Sequence, residues 1–287
     1  YQPTMKGYTD GVYQVIHDMA RRDDEALGKK TPKQNRRRTF LLGLSFGGLV
    51  ALLYPIYYPG STRTDTTHPD EIPIDGVIGV GPIIHFNPKD VQVSPIIRLI
   101  MVVIKAMYGL RLELYVPHKK AVDKDPKVYK QLIDQDMRSH RGAFRVGHLY
   151  CVRNGIADVQ EMADKFTVPV YIQHGLQDRV VSALSSLQWL QKTMSDDIQM
   201  TVYPVCQHVI YRKAKSEEED LAGRVSVLED NVAWMNARCP GTGHIDRGVS
   251  FSMDYSDTPK ENNARTNTYS LSSSGMMTPS EAALSSM

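Results

Sequence analysis

The twelve residues TFLLGLSFGGLV, 39–50, constrain the fold of this chain more than any other stretch. The apolar run Phe40-Leu41-Leu42 leads into Gly43-Leu44-Ser45-Phe46-Gly47, and a second apolar run, Leu49 to Leu53, follows. Glycines on both sides of a serine let a strand fold back into a helix so sharply that the serine hydroxyl stands clear of the bend. We therefore expect a short buried strand, a tight turn carrying Ser45 as candidate nucleophile, and a helix over about 49–57. Gly48 extends the small-residue run and lets that helix approach the sheet. The bare G-x-S-x-G pattern also arises in glycine-rich turns without chemistry, so its weight comes from the apolar runs that flank it.

The rest of the chain alternates strands and helices. Residues 11–27 place Val12, Val15, Ile16 and Met19 at helical spacing, with Thr9 or Asp10 available as N-cap. A basic stretch, 21–38, reads as a solvated surface loop, with contact to anionic lipid headgroups as the alternative. Residues 58–73, rich in Pro, Gly, Thr and Asp, make a long connection, and 74–84, IDGVIGVGPII, a second buried strand. From 85 to 166 helices with polar connections replace the alternation, as expected of an inserted cap. Its first helix, 95–112, carries Arg98 and Lys105 on one face and Ile97, Ile100, Met101, Ile104 and Met107 around the rest. That surface either packs on the domain or forms an apolar lid over a site, with Ile97, Met101, Ile104 and Met107 as candidate substrate contacts. Further cap helices are expected from Asp125-Pro126 onward and over 159–166.

Residues 167–175, TVPVYIQHG, form a third strand, 181–194 a crossover helix, 198–205 a fourth strand and 225–237 a terminal helix built on Val227, Leu228, Val232 and Trp234. Strands and helices in this rhythm predict a mainly parallel sheet flanked by helices. The expected division is 1–84 and 167–240 for the two parts of the core, 85–166 for the cap, and 241–287 for a Ser/Thr/Asn/Gly-rich tail without fixed structure.

Acyl transfer by a serine requires an imidazole to take its proton, a carboxylate to orient that imidazole, and N–H donors for the oxyanion. In open α/β sheets such groups gather beyond the carboxyl ends of strands, in the chain order Ser, acid, His. Ser45, Asp178 and His208 follow that order, each just after a predicted strand. Asp196 and Asp197 precede a strand, at the wrong end of the sheet. His174 ends a strand and fits a neutral structural role better than a place in the cleft.

The 287 residues carry 34 basic and 32 acidic side chains, a net charge of +2 that provides no general attraction to nucleic acid. The three cysteines, Cys151, Cys206 and Cys239, form no metal-ligand pattern, and no cofactor or metal is expected. Cys206, with no cation or helix N-terminus predicted beside it, is expected to stay protonated. No secretory signal is visible, and the apolar passage 95–112 is too short and too charged to span a bilayer, so a cytoplasmic protein is expected.

On GLSFGG at 43–48, GPII at 81–84, VPVYIQHGLQDRVV at 168–181 and YPVCQHVIY around His208, the chain resembles the α/β-hydrolase superfamily. Within it, the nearest group is that of monoacylglycerol lipase-like, serine aminopeptidase-like (S33-type) hydrolases. The resemblance implies an α/β-hydrolase fold with an inserted helical cap. It also implies Ser45 as nucleophile, Asp178 as acid, His208 as base and the Phe46 N–H as an oxyanion donor. The implied substrate is a small lipid ester such as a monoacylglycerol or lysophospholipid, with peripheral membrane or lipid-droplet contact. Leu44 stands where these lipases usually have histidine. The resemblance further implies that the first half-sheet, with the His-Gly turn that supplies a second oxyanion donor, is missing from these residues, leaving the nucleophile strand as an apolar edge. Two alternatives stay open: a catalytically impaired lipid- or partner-binding protein, and a serine peptidase of the same fold.

Overall fold

The computed structural model describes residues 4–85, 144–178, 180–211, 216–239 and 267–270, with single positions or pairs between 86 and 143. Four strands, β1 (Phe40–Leu44), β2 (Gly76–Val80), β3 (Val170–Gly175) and β4 (Ile198–Tyr203), lie parallel and adjacent in chain order. A fifth, β5 (Asn267–Ser270), pairs antiparallel with β4. The longer helices among the described residues are α1 (Met5–Leu27), α2 (Phe46–Tyr57), α3 (Val146–Glu161), α4 (Ala183–Leu190) and α5 (Ser226–Ala237).

Strand alternation divides the sheet between two cores. Val77, Val170, Ile172, Met200 and Val202 join α1, α2, α3 and α4 in the larger one, around Leu49, Leu52, Leu53, Trp189 and Leu190. Ile78, Val80, Tyr171 and Tyr203 face the other way, toward Val227 and Trp234 of α5. A sheet covered on both faces needs near-continuous apolar strands, and β2 and β3 are buried along their whole length. Removing a side chain such as Trp189, Leu52 or Ile172 from water contributes about 1.5–3 kcal/mol each. Under α5 the Tyr203 hydroxyl donates to Asp230 at 2.6 Å and accepts from the Gln173 amide at 2.8 Å, tying that helix to β3 and β4.

The structure departs from the sequence expectations at several elements. The first helix begins at Met5, not near residue 11, because Thr4 is extended and its hydroxyl accepts the Gly7 N–H. Thr9 instead lies inside the helix, buried, with its hydroxyl turned back on the Lys6 carbonyl. The buried positions of α1 are Met5, Thr9, Ile16 and Ala20, while Val15 and Met19 are exposed. The basic stretch is not a free loop. Arg21 to Leu27 are helical, Lys33 is buried on the Gly60 carbonyl and Asp65, and Arg36, Arg37 and Arg38 meet Asp24, Asp23 and Asp75.

The helix expected at 159–166 runs instead over Val146–Glu161, and its Cys151, Val152 and Val159 belong to the main core, so this part of the expected cap is core. In α5, Leu228 and Val232 are exposed and Asn231 is buried with Val227 and Trp234. Four residues of the tail, 267–270, are not unstructured but close the outer edge of β4. The helix expected over 95–112, with Ile97, Met101, Ile104 and Met107, lies outside the described residues, except that Val102, Val103 and Ala106 are helical and exposed. The helix expected from Asp125-Pro126 lies wholly outside them. Among the described residues no helix is long and apolar enough to cross a membrane.

Asp75 anchors the approach to β2. Its carboxylate takes hydrogen bonds from the Thr39 N–H at 2.8 Å, from Arg38 at 2.6 Å and from Arg63, and its side chain is 4% exposed. Burial alone would raise its pKa, but Arg63, the Thr39 amide and Arg38 outweigh burial and hold it below the ordinary carboxylate value. A folded value below the unfolded one means stabilisation that is complete above about pH 4 and fades as pH falls through the folded value. Asp75→Ala should therefore cost about 2–4 kcal/mol at pH 7, since it leaves two guanidinium groups and an amide without their acceptor. Urea titrations at pH 7 and pH 3 should show the wild-type advantage shrinking at the lower pH.

Candidate active site

The register of the sheet sets the geometry. Leu44, Val80, Gln173 and Thr201 form one row across β1 to β4, and Ser45, Gly81 and His174 stand one residue beyond it. The chain breaks from strand geometry just there. Ser45 has φ 54° and ψ −114°, a conformation rarely taken by a residue with a side chain, and Gly81 has φ 50°. The bend is fixed by backbone bonds: the Ser45 N–H donates to the Val80 carbonyl at 2.9 Å, and the Ser45 carbonyl accepts from Leu49 at 3.2 Å and Ile83 at 3.1 Å.

The glycines of the motif are not equivalent. A Cβ on Gly43 would lie 2.1 Å from the Gly47 carbonyl oxygen, and one on Gly48 would lie 2.8 Å from the Pro82 side chain. A Cβ on Gly47 would meet nothing within 4 Å. The strand-side glycine is thus required by the fold-back and Gly48 by the helix-to-turn contact, whereas Gly47 contributes its backbone.

Beyond the strand ends, Ser45, His208 and Asp178 come together across 163 residues of sequence. His208 Nε2 lies 2.8 Å from Ser45 Oγ, and His208 Nδ1 lies 2.8 Å from Asp178 Oδ2. The imidazole is buried and the carboxylate is 1% exposed. Asp178 Oδ1 accepts the N–H groups of Val180 at 2.7 Å and Val181 at 3.0 Å, the geometry of an Asx turn. Burial would push this carboxyl up. Hydrogen bonds from His174 and His208 prevail and hold it well below the usual range, so it stays ionised at neutral pH. Such an arrangement can pass the serine proton to an imidazole whose other nitrogen is held by a carboxylate.

Phe46 is the first residue of α2, where backbone N–H groups lack an intrahelical acceptor and the helix dipole favours negative charge. Its ring meets Tyr8 edge-on at 5.0 Å and His148 at 5.2 Å, and the Tyr8 hydroxyl is 3.2 Å from His148 Nδ1. Burial lowers the His148 pKa and favours its neutral form. The sequence reading missed the second imidazole on Asp178: His174 Nε2 lies 3.2 Å from the same Oδ2 that faces His208. The four-residue spacing of His174 and Asp178 was visible, but only the fold shows the loop curling back. The expected contacts Ile97, Met101, Ile104 and Met107 lie outside the described residues.

Gly43→Ala should cost about 2–3 kcal/mol in urea denaturation, because the added methyl meets backbone that cannot yield. Gly47→Ala should stay within about 0.5 kcal/mol of the wild type. Equal losses at the two positions would contradict this account of the bend.

Comparison with known proteins agrees with the geometry. The family described as serine aminopeptidase, S33, matches residues 2–214. The chain is 27% identical over 203 residues to the caffeoylshikimate esterase of Arabidopsis thaliana, covering 69% of this chain and 55% of that protein. It is 25% identical over 199 residues to the monoacylglycerol lipase of Mycolicibacterium smegmatis, covering 68% and 61%. The chain thus spans little more than half the length of these two relatives. Among solved structures, the monoacylglycerol lipase of Paleococcus ferrophilus superposes with a TM-score of 0.58 at 18% identity, over 83% of this chain and 77% of that one. A soluble variant of the Saccharomyces cerevisiae monoglyceride lipase, bound to a substrate analog, gives 0.55 at 19% identity, over 79% and 69%. With the parallel sheet, the serine elbow and a family match across most of its length, the chain belongs to the serine aminopeptidase S33 family of α/β-hydrolases.

Proposed function

We propose that this protein is a serine hydrolase of carboxylic esters, with lipid esters of the monoacylglycerol type as its substrate class. The observation that carries the proposal is the relay from Ser45 Oγ to His208 Nε2 and from His208 Nδ1 to Asp178, 2.8 Å at each step. His208 takes the hydroxyl proton as Ser45 Oγ attacks the ester carbonyl, and the tetrahedral oxyanion forms against the Phe46 N–H at the start of α2. His208 then protonates the departing alcohol, leaving an acyl-serine. Water attacks that ester, giving its proton to His208, and releases the acid and the free serine. Asp178 keeps its charge throughout and stabilises the imidazolium.

The choice of ester over amide draws on the relatives, which are named as an esterase and lipases. The lipid class draws on them and on the apolar pattern of 95–112. A second reading, a lipid- or partner-binding protein without turnover, is favoured by β1, which among the described residues pairs only with β2 and leaves Leu42 49% exposed.

A fluorophosphonate probe should label the 287-residue chain once, at Ser45. Labelling should vanish in Ser45→Ala and slow by about 10³-fold or more in His208→Ala. Hydrolysis of short-chain glycerol monoesters should follow the same pattern. A folded wild-type chain that neither labels nor hydrolyses, yet retains a labelled monoacylglycerol, would replace the ester-hydrolase proposal with the binding one.

A further inference from the structure

His174 is the last residue but one of β3, fully buried, on the side of the strand that faces α4. Its Nε2 lies 3.2 Å from the Val181 carbonyl and 3.2 Å from Asp178 Oδ2. A carbonyl and a carboxylate only accept, so Nε2 must carry the proton, which it donates to the Val181 carbonyl with Asp178 Oδ2 equally near. On the other side of the ring, Nδ1 lies 3.3 Å from the hydroxyl of Ser186, a fully buried residue of α4. With Nε2 protonated, a neutral ring leaves Nδ1 as acceptor and makes Ser186 its donor.

A carboxylate offers about four acceptor sites, and at Asp178 three take hydrogen bonds while an imidazole N–H of His174 stands at the fourth. Val180 and Val181 N–H donate to Oδ1, His208 holds Oδ2, and His174 Nε2 stands 3.2 Å from the same Oδ2. Turning the carboxylate by even a fraction of its torsional freedom breaks at least one of these bonds. Without His174 the inner oxygen would be held by His208 alone, the group it has to position.

We propose that His174, backed by Ser186, is a positioning residue that fixes the Asp178 carboxylate for His208 through the oxygen the two imidazoles share. The proposal rests on the ester-hydrolase reading for its kinetic consequence but not for its geometry. His174 touches neither substrate nor the serine. Its effect passes through Asp178 to the orientation of His208, so it belongs in kcat and not in KM.

Glutamine can place an amide N–H where His174 Nε2 now stands, and leucine fills the space without a donor. His174→Leu should lower kcat on a soluble monoester about tenfold with KM unchanged, the loss expected for one hydrogen bond to a charged group. His174→Gln should return to within about threefold of the wild type. In proton NMR the far-downfield His208 Nδ1–H resonance should shift in His174→Leu and return in His174→Gln. In wild-type protein with ¹⁵N-labelled histidine, His174 should be the Nε2–H tautomer, which requires no variant to fold.

Equal losses in the two variants, or no loss in His174→Leu, would overturn the proposal, as would a His174 proton found on Nδ1 with Nε2 bare. If the wild type hydrolyses no ester, the proposed function falls, and the tautomer and the His208 resonance still decide the role of His174.

Discussion

The backbone of Ser45 is the constraint around which the rest of the molecule is arranged. A positive φ at a residue with a side chain stores on the order of 1–3 kcal/mol, and it persists only where neighbours over-determine it. Here they do so from one direction. Val80 accepts the Ser45 N–H, Ile83 and Leu49 take up its carbonyl, and Gly43 and Gly48 leave room for the fold-back and for Pro82. β2 is therefore as much a part of the elbow as β1. The buried length of β2, held between β1 and β3, is what allows the strain to be carried.

The order Ser45, Asp178, His208 was legible in the sequence because each residue follows a strand, and parallel strands present their carboxyl ends on one edge. Register does the remainder, since the row from Leu44 to Thr201 fixes where the three loops leave the sheet. His174 was not legible as a partner of Asp178. Its position at a strand end matches a core histidine equally well, and only the turn through Val180 and Val181 brings the carboxylate back over it.

The misplaced start of α1 has a similar cause. Thr4 and Thr9 are both fit to cap a helix, and the choice depends on the packing of Met5 into the core. The helix face was misread because α1 lies against α2 and α3 along Met5, Thr9, Ile16 and Ala20, not along the most apolar stripe in its sequence. The segment 144–161 shows the opposite failure. Polar residues scattered through it hid a helix whose buried side, Cys151, Val152 and Val159, is short but sits directly on the main core.

The two ends of the sheet differ in a way that bears on the site. On one side, β5 covers the edge of β4. On the other, among the described residues β1 has no second neighbour, and Leu42 with Val15 and Met19 of α1 presents apolar surface. An open strand edge with apolar side chains is a template for pairing with another segment. The supports of Ser45 nevertheless all come from β2, α2 and the turn at Gly81 to Ile83, and those of His208 come from Asp178 and the loop after β3. Ser45 leaves the end of β1 itself, but the hydrogen bonds that hold the relay come from β2, α2 and the loop after β3. Among the described residues the open edge of β1 carries none of the hydrogen bonds of the relay, so pairing along it would extend the sheet without replacing a bond at Ser45, His208 or Asp178.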